Sequence, residues 1–446
     1  MDERKKLLII AYSFPPAGGV EVNRTLKFTK YLPRFNWTPV VLTVSKGKFG
    51  KYDERTMEMV PDGVSVYRAP SFELFNQGQH RGNAGKQERR TFWTRVYQRM
   101  CRTWAWFMIP DGKVTWVPAA LLKAARVIRA EKIRHVYVSG KPFSSFLIGY
   151  LLKRWFKTSL IIDYRDPWTQ NITYERRSPL HAWLNHFLEA RIVKHSDIVI
   201  ANTVINERNL ANEFGAGQDR TKFVTIHNGF DKDDFEVPVD GKYEPFTITY
   251  AGAFYFSVGS SFESSSGSEV MRTYSPFYFF EALERAFSLR PDIKERFQVN
   301  FMGVLGHGYD PIIRSHGLER TVNRLGYLDY DEHIRVLKRS HALLLVLSSG
   351  EISRGWVPSK FFQYLGSGNP VLALVPPGEV RTILEKTQAG VYVDPDDTDN
   401  IAGAIIGLYD DYYARGEQFE RNEDEVMKYE RNYLTSLLVR ALERLS

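Results

Sequence analysis

The stretch Leu7-Leu8-Ile9-Ile10-Ala11-Tyr12-Ser13-Phe14-Pro15-Pro16-Ala17-Gly18-Gly19-Val20 decides how the rest of the chain is read. A short apolar run gives way to a glycine turn, and a helical pattern follows with Val22, Leu26, Phe28, Thr29 and Leu32. Strand, glycine turn, helix is the arrangement that aims free backbone N–H groups at a phosphate. The glycines are adjacent and follow two prolines, so the turn is not the G-x-G-x-x-G of a dinucleotide site. Gly18 and Gly19 are therefore candidates for an anion or acceptor loop, with a purely structural turn as the alternative.

The same rhythm recurs. Val40 to Val44, Val64 to Tyr67, Val136 to Ser139, Leu160 to Tyr164, Ile198 to Ala201 and Phe223 to Ile226 are further apolar runs bounded by turn residues. After the polar stretch Lys232 to Pro245 the pattern restarts with Phe246 to Ala251, Phe297 to Met302, Val322 to Leu325, Ala342 to Leu347, Pro370 to Leu374 and Val391 to Val393. Continuous apolar runs alternating with helices mark parallel strands covered on both faces. A length of 446 residues suits two such units. The reading is α/β, two Rossmann-like doubly wound domains facing a central cleft: 1–235, 236–420, and a C-terminal helix over 421–446 that packs across the lobes or caps the second.

Composition excludes several classes. A hydrophobic share of 43% rules out a mostly disordered chain, and the single cysteine, Cys101, rules out an internal disulfide. No apolar window reaches the ~18 residues of a spanning helix. Met1 to Lys6 leads into a strand without a secretory apolar region, so a cytoplasmic protein is expected. Phe72 to Arg90 and the serine-rich Phe256 to Ser275 interrupt the rhythm and read as mobile loops, the second able to close over a ligand.

Ligands of doubly wound sheets bind outside the carboxyl ends of the strands, so the strand ends carry the candidates. Asp163-Tyr164-Arg165-Asp166-Pro167-Trp168 brings out two carboxylates and a guanidinium. Asp163, Arg165 and Asp166 are ligand candidates, although the acids can also pair with Arg165 or cap the next turn. Lys141, in Ser139-Gly140-Lys141-Pro142, is placed to neutralise a phosphate or to sit solvated in a loop. In the second half Gly252 ends a strand, and Arg272 is the well-placed cation of the serine-rich loop. Gly355 to Pro370 reads as a helix with Pro358 near its first turn, Phe361, Phe362 and Leu365 buried, and a glycine stop at Gly368. Its first amides, with Ser359 and the Lys360 ammonium, make a pocket for a diphosphate, with Gln363 one turn later on the side of a ribose; an ordinary capped helix with an exposed lysine is the alternative.

These residues resemble the GT-B glycosyltransferases, specifically the glycosyltransferase family 4-like group of bacterial surface-polysaccharide enzymes. The resemblance runs through Phe14-Pro15-Pro16 with Gly18-Gly19, Asp163 to Trp168, Asn228-Gly229-Phe230-Asp231, and Pro358-Ser359-Lys360 with Tyr364 to Pro370. It implies retaining transfer of a sugar from a nucleoside diphosphate sugar to a hydroxyl of a glycan or lipid-linked acceptor, with no cofactor and no metal ion. Arg272 and Lys360 would then steady the departing diphosphate, and Asp166 would receive or position the acceptor proton. The sequence departs from the family in two places. Gly355 and Gln363 stand where many members have a pair of glutamates, with Glu351 four residues too early. None of the ten histidines falls at the tip of the fourth or fifth strand. A protein of this fold that has lost catalysis, or a sugar-nucleotide epimerase, is the alternative.

Lys86 to Arg134 holds twelve basic residues against three acids. Within residues 89–109 aromatics alternate with arginines, as in a helix lying on anionic lipid or in a core helix whose arginines reach the surface. No nucleic-acid module accompanies it, so nucleic acid is not an expected partner.

Overall fold

The computed structural model describes residues 5–45, 47, 49, 52–71, 108–171, 178–254, 273–416 and 419–445. Arg272, most of the serine-rich loop, the Phe72 to Arg90 loop and nearly all of 89–109 lie outside the described residues.

The chain divides into two compact units, Met1–His227 with Leu434–Ser446, and Asn228–Tyr433. In the first, the described residues build a seven-stranded sheet in the order β3-β2-β1-β4-β5-β6-β7. Its strands are β1 (Lys5–Ile10), β2 (Trp37–Val44), β3 (Ser65–Ala69), β4 (His135–Gly140), β5 (Ser159–Tyr164), β6 (Ile198–Ala201) and β7 (Phe223–Thr225). Every pairing is parallel. Leu7, Leu8, Ile9 and Ile10 are all fully buried, because helices cover both faces of the sheet. Each such side chain contributes roughly 1.5–3 kcal/mol by leaving water. The Ser144–Phe156 helix approaches β4 and β5 closely through Gly149, where a Cβ would stand 2.6 Å from side-chain atoms of Leu160 and Val138.

The second unit repeats the plan with β8 (Phe246–Phe254), β9 (Phe297–Leu305), β10 (Val322–Gly326), β11 (Ala342–Val346), β12 (Val371–Leu374) and β13 (Gly390–Val393), ordered β10-β9-β8-β11-β12-β13. Both sheets thus follow the Rossmann order in which the direction of strand addition reverses beside the first strand. The division falls at His227 rather than 235, because Phe230 is buried in the second core and Phe235 packs against it.

The C-terminal stretch differs from the single helix expected over 421–446. Two helices form, Glu423–Met427 and Arg431–Glu443. The break occurs where Phe230 takes the backbone: its amide donates to Tyr429 O at 3.1 Å, and Arg431 N donates to its carbonyl at 2.9 Å. The Glu430 carboxylate then starts the second helix by accepting from the amides of Asn432 and Tyr433 at 2.7 and 3.2 Å. Leu434, Leu438 and Leu442, one helical face, lie in the core of the first unit.

Candidate active site

In the second unit the Ser359–Ser367 helix begins at the carboxyl side of β11 and points its first turn toward the end of β8. Pro358 is its N-cap rather than a first-turn residue, and Gly368 closes it with φ 85°, a left-handed conformation that suits glycine. Phe361, Phe362 and Leu365 are fully buried. Tyr364 ties the helix to the sheet, since Ala251 N donates to Tyr364 Oη at 2.9 Å.

Lys360 is thereby held over the Tyr250 ring, with Nζ 3.9 Å from its centroid. No carboxylate pairs with it among the described residues. Desolvation lowers its pKa to about 7, because a half-buried ammonium without a counter-charge loses much of its hydration. Gly252 completes the recess: its φ is 149°, and a Cβ there would stand 3.0 Å from both Lys360 Nζ and Tyr250 Oη. The Ser359 and Lys360 amides lie in the first helical turn and have no earlier carbonyl of the helix to bond. A lysine ammonium with no carboxylate partner among the described residues, beside open first-turn amides, gives the recess a positive potential.

Gln363 is not free-standing. It lies near Tyr330 and His333, whose rings are stacked 6.3 Å apart. Tyr330 Oη in turn donates to Asp234 Oδ2 at 2.8 Å. Burial holds the His333 pKa below its usual value. Glu351 is exposed and paired with Arg354 at 3.0 Å. Tyr250, Tyr330, His333 and Asp234 were not singled out by sequence; Tyr250, two residues before Gly252 on the same strand, carried the one readable signal.

In the first unit, Gly18 and Gly19, Lys141, and Arg165 with Asp166 emerge at the carboxyl ends of the adjacent strands β1, β4 and β5. Gly19 is the N-cap of the Val20–Tyr31 helix with φ 91°. Arg165 Nη1 donates to Glu21 O at 2.7 Å, which ties the β5 end to that helix. Lys141 and Asp166 form an ion pair at 3.1 Å with side-chain exposures of 51% and 40%. A pair this exposed is held weakly and separates at little cost.

Asp163 corrects the expectation that it faces a ligand. It is fully buried, and Arg24 grips it with two hydrogen bonds, Nε to Oδ2 at 2.6 Å and Nη2 to Oδ1 at 3.0 Å. Tyr137 Oη also donates to Oδ2. Arg24 further donates to the carbonyls of Ile226 and His227 at 2.9 and 2.7 Å. β5 is covered on both faces, so Asp163 lies in the interior, where a charge requires a full set of partners. It fastens the first helix to the sheet. Trp168 is likewise internal, stacked on Phe143 at 5.0 Å.

The family model described as glycosyl transferase 4-like domain matches residues 18–229, from the glycine turn to the first residues of the second unit. The chain carries a glycosyl transferase 4-like domain on the GT-B fold. Solved structures similar to this GT-B chain include Anabaena HepE in complex with UDP, at 15% identity and TM-score 0.58, covering 98% of this chain and 100% of that one. Sucrose-phosphate synthase from Thermosynechococcus elongatus is similar at 13% identity and TM-score 0.57, covering 99% of both chains. A putative UDP-N-acetylglucosamine 2-epimerase from Listeria monocytogenes is similar at 14% identity and TM-score 0.54, covering 99% of this chain and 96% of that one. No curated protein matches the GT-B chain in sequence. Among its described residues, no helix is long and apolar enough to cross a membrane.

Proposed function

We propose that the protein is a retaining glycosyltransferase that moves a sugar from a nucleoside diphosphate sugar to a hydroxyl of a glycan or lipid-linked glycan, without a metal ion and in the cytoplasm. The observation that carries this is the Lys360 ammonium, desolvated, unpaired with any carboxylate among the described residues, and set beside two first-turn amides and Gly252. An anion bound there would supply the counter-charge. The UDP held by HepE makes a uridine diphosphate sugar the first donor to try.

In this reading the second unit holds the donor. Negative charge grows on the β-phosphate as the glycosidic bond breaks, so pre-oriented donors around Lys360 stabilise the transition state more than the ground state. Arg272 is proposed as a second cation on the same diphosphate. Gln363, through its amide, offers the ribose a donor and an acceptor where the family has a carboxylate. The first unit receives the acceptor on the Gly18-Gly19 turn. Asp166, released from Lys141, accepts or positions the hydroxyl proton, and Arg165 and Lys141 hold anionic or polar groups of the acceptor.

Thermal stabilisation by a panel of nucleotide-sugars, followed by release of labelled sugar onto oligosaccharide acceptors, tests the reading; unchanged turnover in EDTA tests metal independence. A stabilising donor that yields only its epimer would replace transfer by epimerisation. Absence of both transfer and slow donor hydrolysis would leave binding alone, the reading that Gly355, Gln363 and the lack of a histidine at the tips of the fourth and fifth strands favour.

A further inference from the structure

The Pro179–His195 helix is turned inside out over its first three turns. His181, Asn185 and Glu189, polar residues spaced four apart, form its buried face. Leu180, Trp183 and Phe187 form its outer face and are 55%, 59% and 47% exposed. Trp183 and Phe187 stack on each other at 5.7 Å rather than turning inward. Soluble helices put charged and polar residues on the solvent side, and adjacent exposed aromatics mark a contact surface.

The same face continues into Arg191 and Lys194, both exposed. Arg191 Nε donates to Tyr150 Oη at 3.0 Å, which sets the basic end of this helix beside the Ser144–Phe156 helix. That neighbouring helix ends in exposed Arg154 and Trp155, followed by exposed Lys157. The helix itself contributes one acid, Glu189, and it is buried. Nearby Glu213 is engaged by His186 at 3.7 Å, and Asp197 by Lys153 and the Leu160 amide. The surface is thus an aromatic and aliphatic ridge with a cationic end. A ridge of Trp, Phe and Leu suits the headgroup boundary, and the cations suit a negatively charged leaflet.

We infer that the Leu180–Trp183–Phe187 ridge with Arg191 and Lys194 docks the protein on an anionic lipid surface. It lies in the unit proposed to receive the acceptor, yet the docking does not depend on that reading, because an inactive chain would bind in the same way.

The full-length protein is to be floated with phosphatidylcholine vesicles and with vesicles containing 30% phosphatidylglycerol, at low and high salt. Binding to the anionic vesicles that falls with salt is expected. Trp183→Ser with Phe187→Ser should weaken it at least tenfold, and Arg191→Gln or Lys194→Gln about fivefold each. All four side chains are exposed, so melting temperatures should match the wild type, and donor-stimulated release of UDP reads the proposed reaction separately. Equal binding by wild type and the Trp183/Phe187 variant would overturn the inference. So would failure of the wild type to bind, or a dimer in sedimentation that these substitutions dissolve while vesicle binding is unchanged.

Discussion

Replacing Lys360 by methionine removes the ammonium while keeping an unbranched stem along the Tyr250 ring. Burial disfavours the charged form of the lysine and lowers its pKa to about 7. A bound diphosphate supplies the missing counter-charge and returns the lysine toward its ordinary value near 10.4. Below pH 7 the ammonium is already charged and binding takes up no proton. Above it, binding must first protonate the lysine, so affinity falls as pH rises. With half the sites competent at pH 7 and about 3% at pH 8.5, the dissociation constant of UDP should rise about fifteenfold. Titration calorimetry in buffers of different ionisation enthalpy should show uptake of about half a proton at pH 7 and nearly one at pH 8.5. Lys360→Met should bind roughly ten- to a hundredfold more weakly at pH 7, the worth of one charge-assisted contact, with no pH slope. A wild-type affinity independent of pH, or the same slope in the methionine variant, would refute the assignment.

Gly252→Ala should crowd Lys360 and Tyr250 at 3.0 Å and strain a backbone at φ 149°, costing about 1–3 kcal/mol in urea unfolding and most of the UDP affinity. Asp163→Ala should lower stability by about 3–5 kcal/mol, since it strands the buried Arg24, while the folded fraction keeps its KM for the donor. Glu189 is fully buried and its pKa is raised by desolvation to about 7. Between pH 4.5 and 7 the folded state therefore keeps a proton that the unfolded chain has lost, and stability falls as pH rises through that window. Glu189→Gln should be more stable than wild type at pH 8, by on the order of 3 kcal/mol, with no difference near pH 4. Urea melts at the two pH values check this.

Much of the architecture was readable because a strand covered on both faces has no solvent side on which to place polar residues. Each of the runs from Leu7 to Val393 accordingly became a strand in the order of its unit. The Gly368 stop and the buried Phe361, Phe362 and Leu365 were equally local, following from helix periodicity and one left-handed residue. The candidate site was less legible. Arg165 and Asp166 could be placed at a strand end, but whether an acid there turns outward depends on what packs behind it. Asp163 turned inward because Arg24 waits 139 positions earlier in the chain. The Phe230 bridge that divides the C-terminal helix is likewise made between segments far apart in sequence.

From the sequence alone come two doubly wound units, a glycine turn after the first strand, and a helix starting at Pro358-Ser359-Lys360 where a phosphate can bind. These rest on backbone hydrogen bonding and side-chain periodicity, which act over a few residues. The tertiary structure decided which charges are spent and which stay open: Asp163 is consumed by Arg24, Asp166 is loosely held by Lys141, and Lys360 is half-buried over Tyr250 with no carboxylate partner among the described residues. Charge pairing and desolvation act through space, and the neighbours that set them are gathered only when the chain folds.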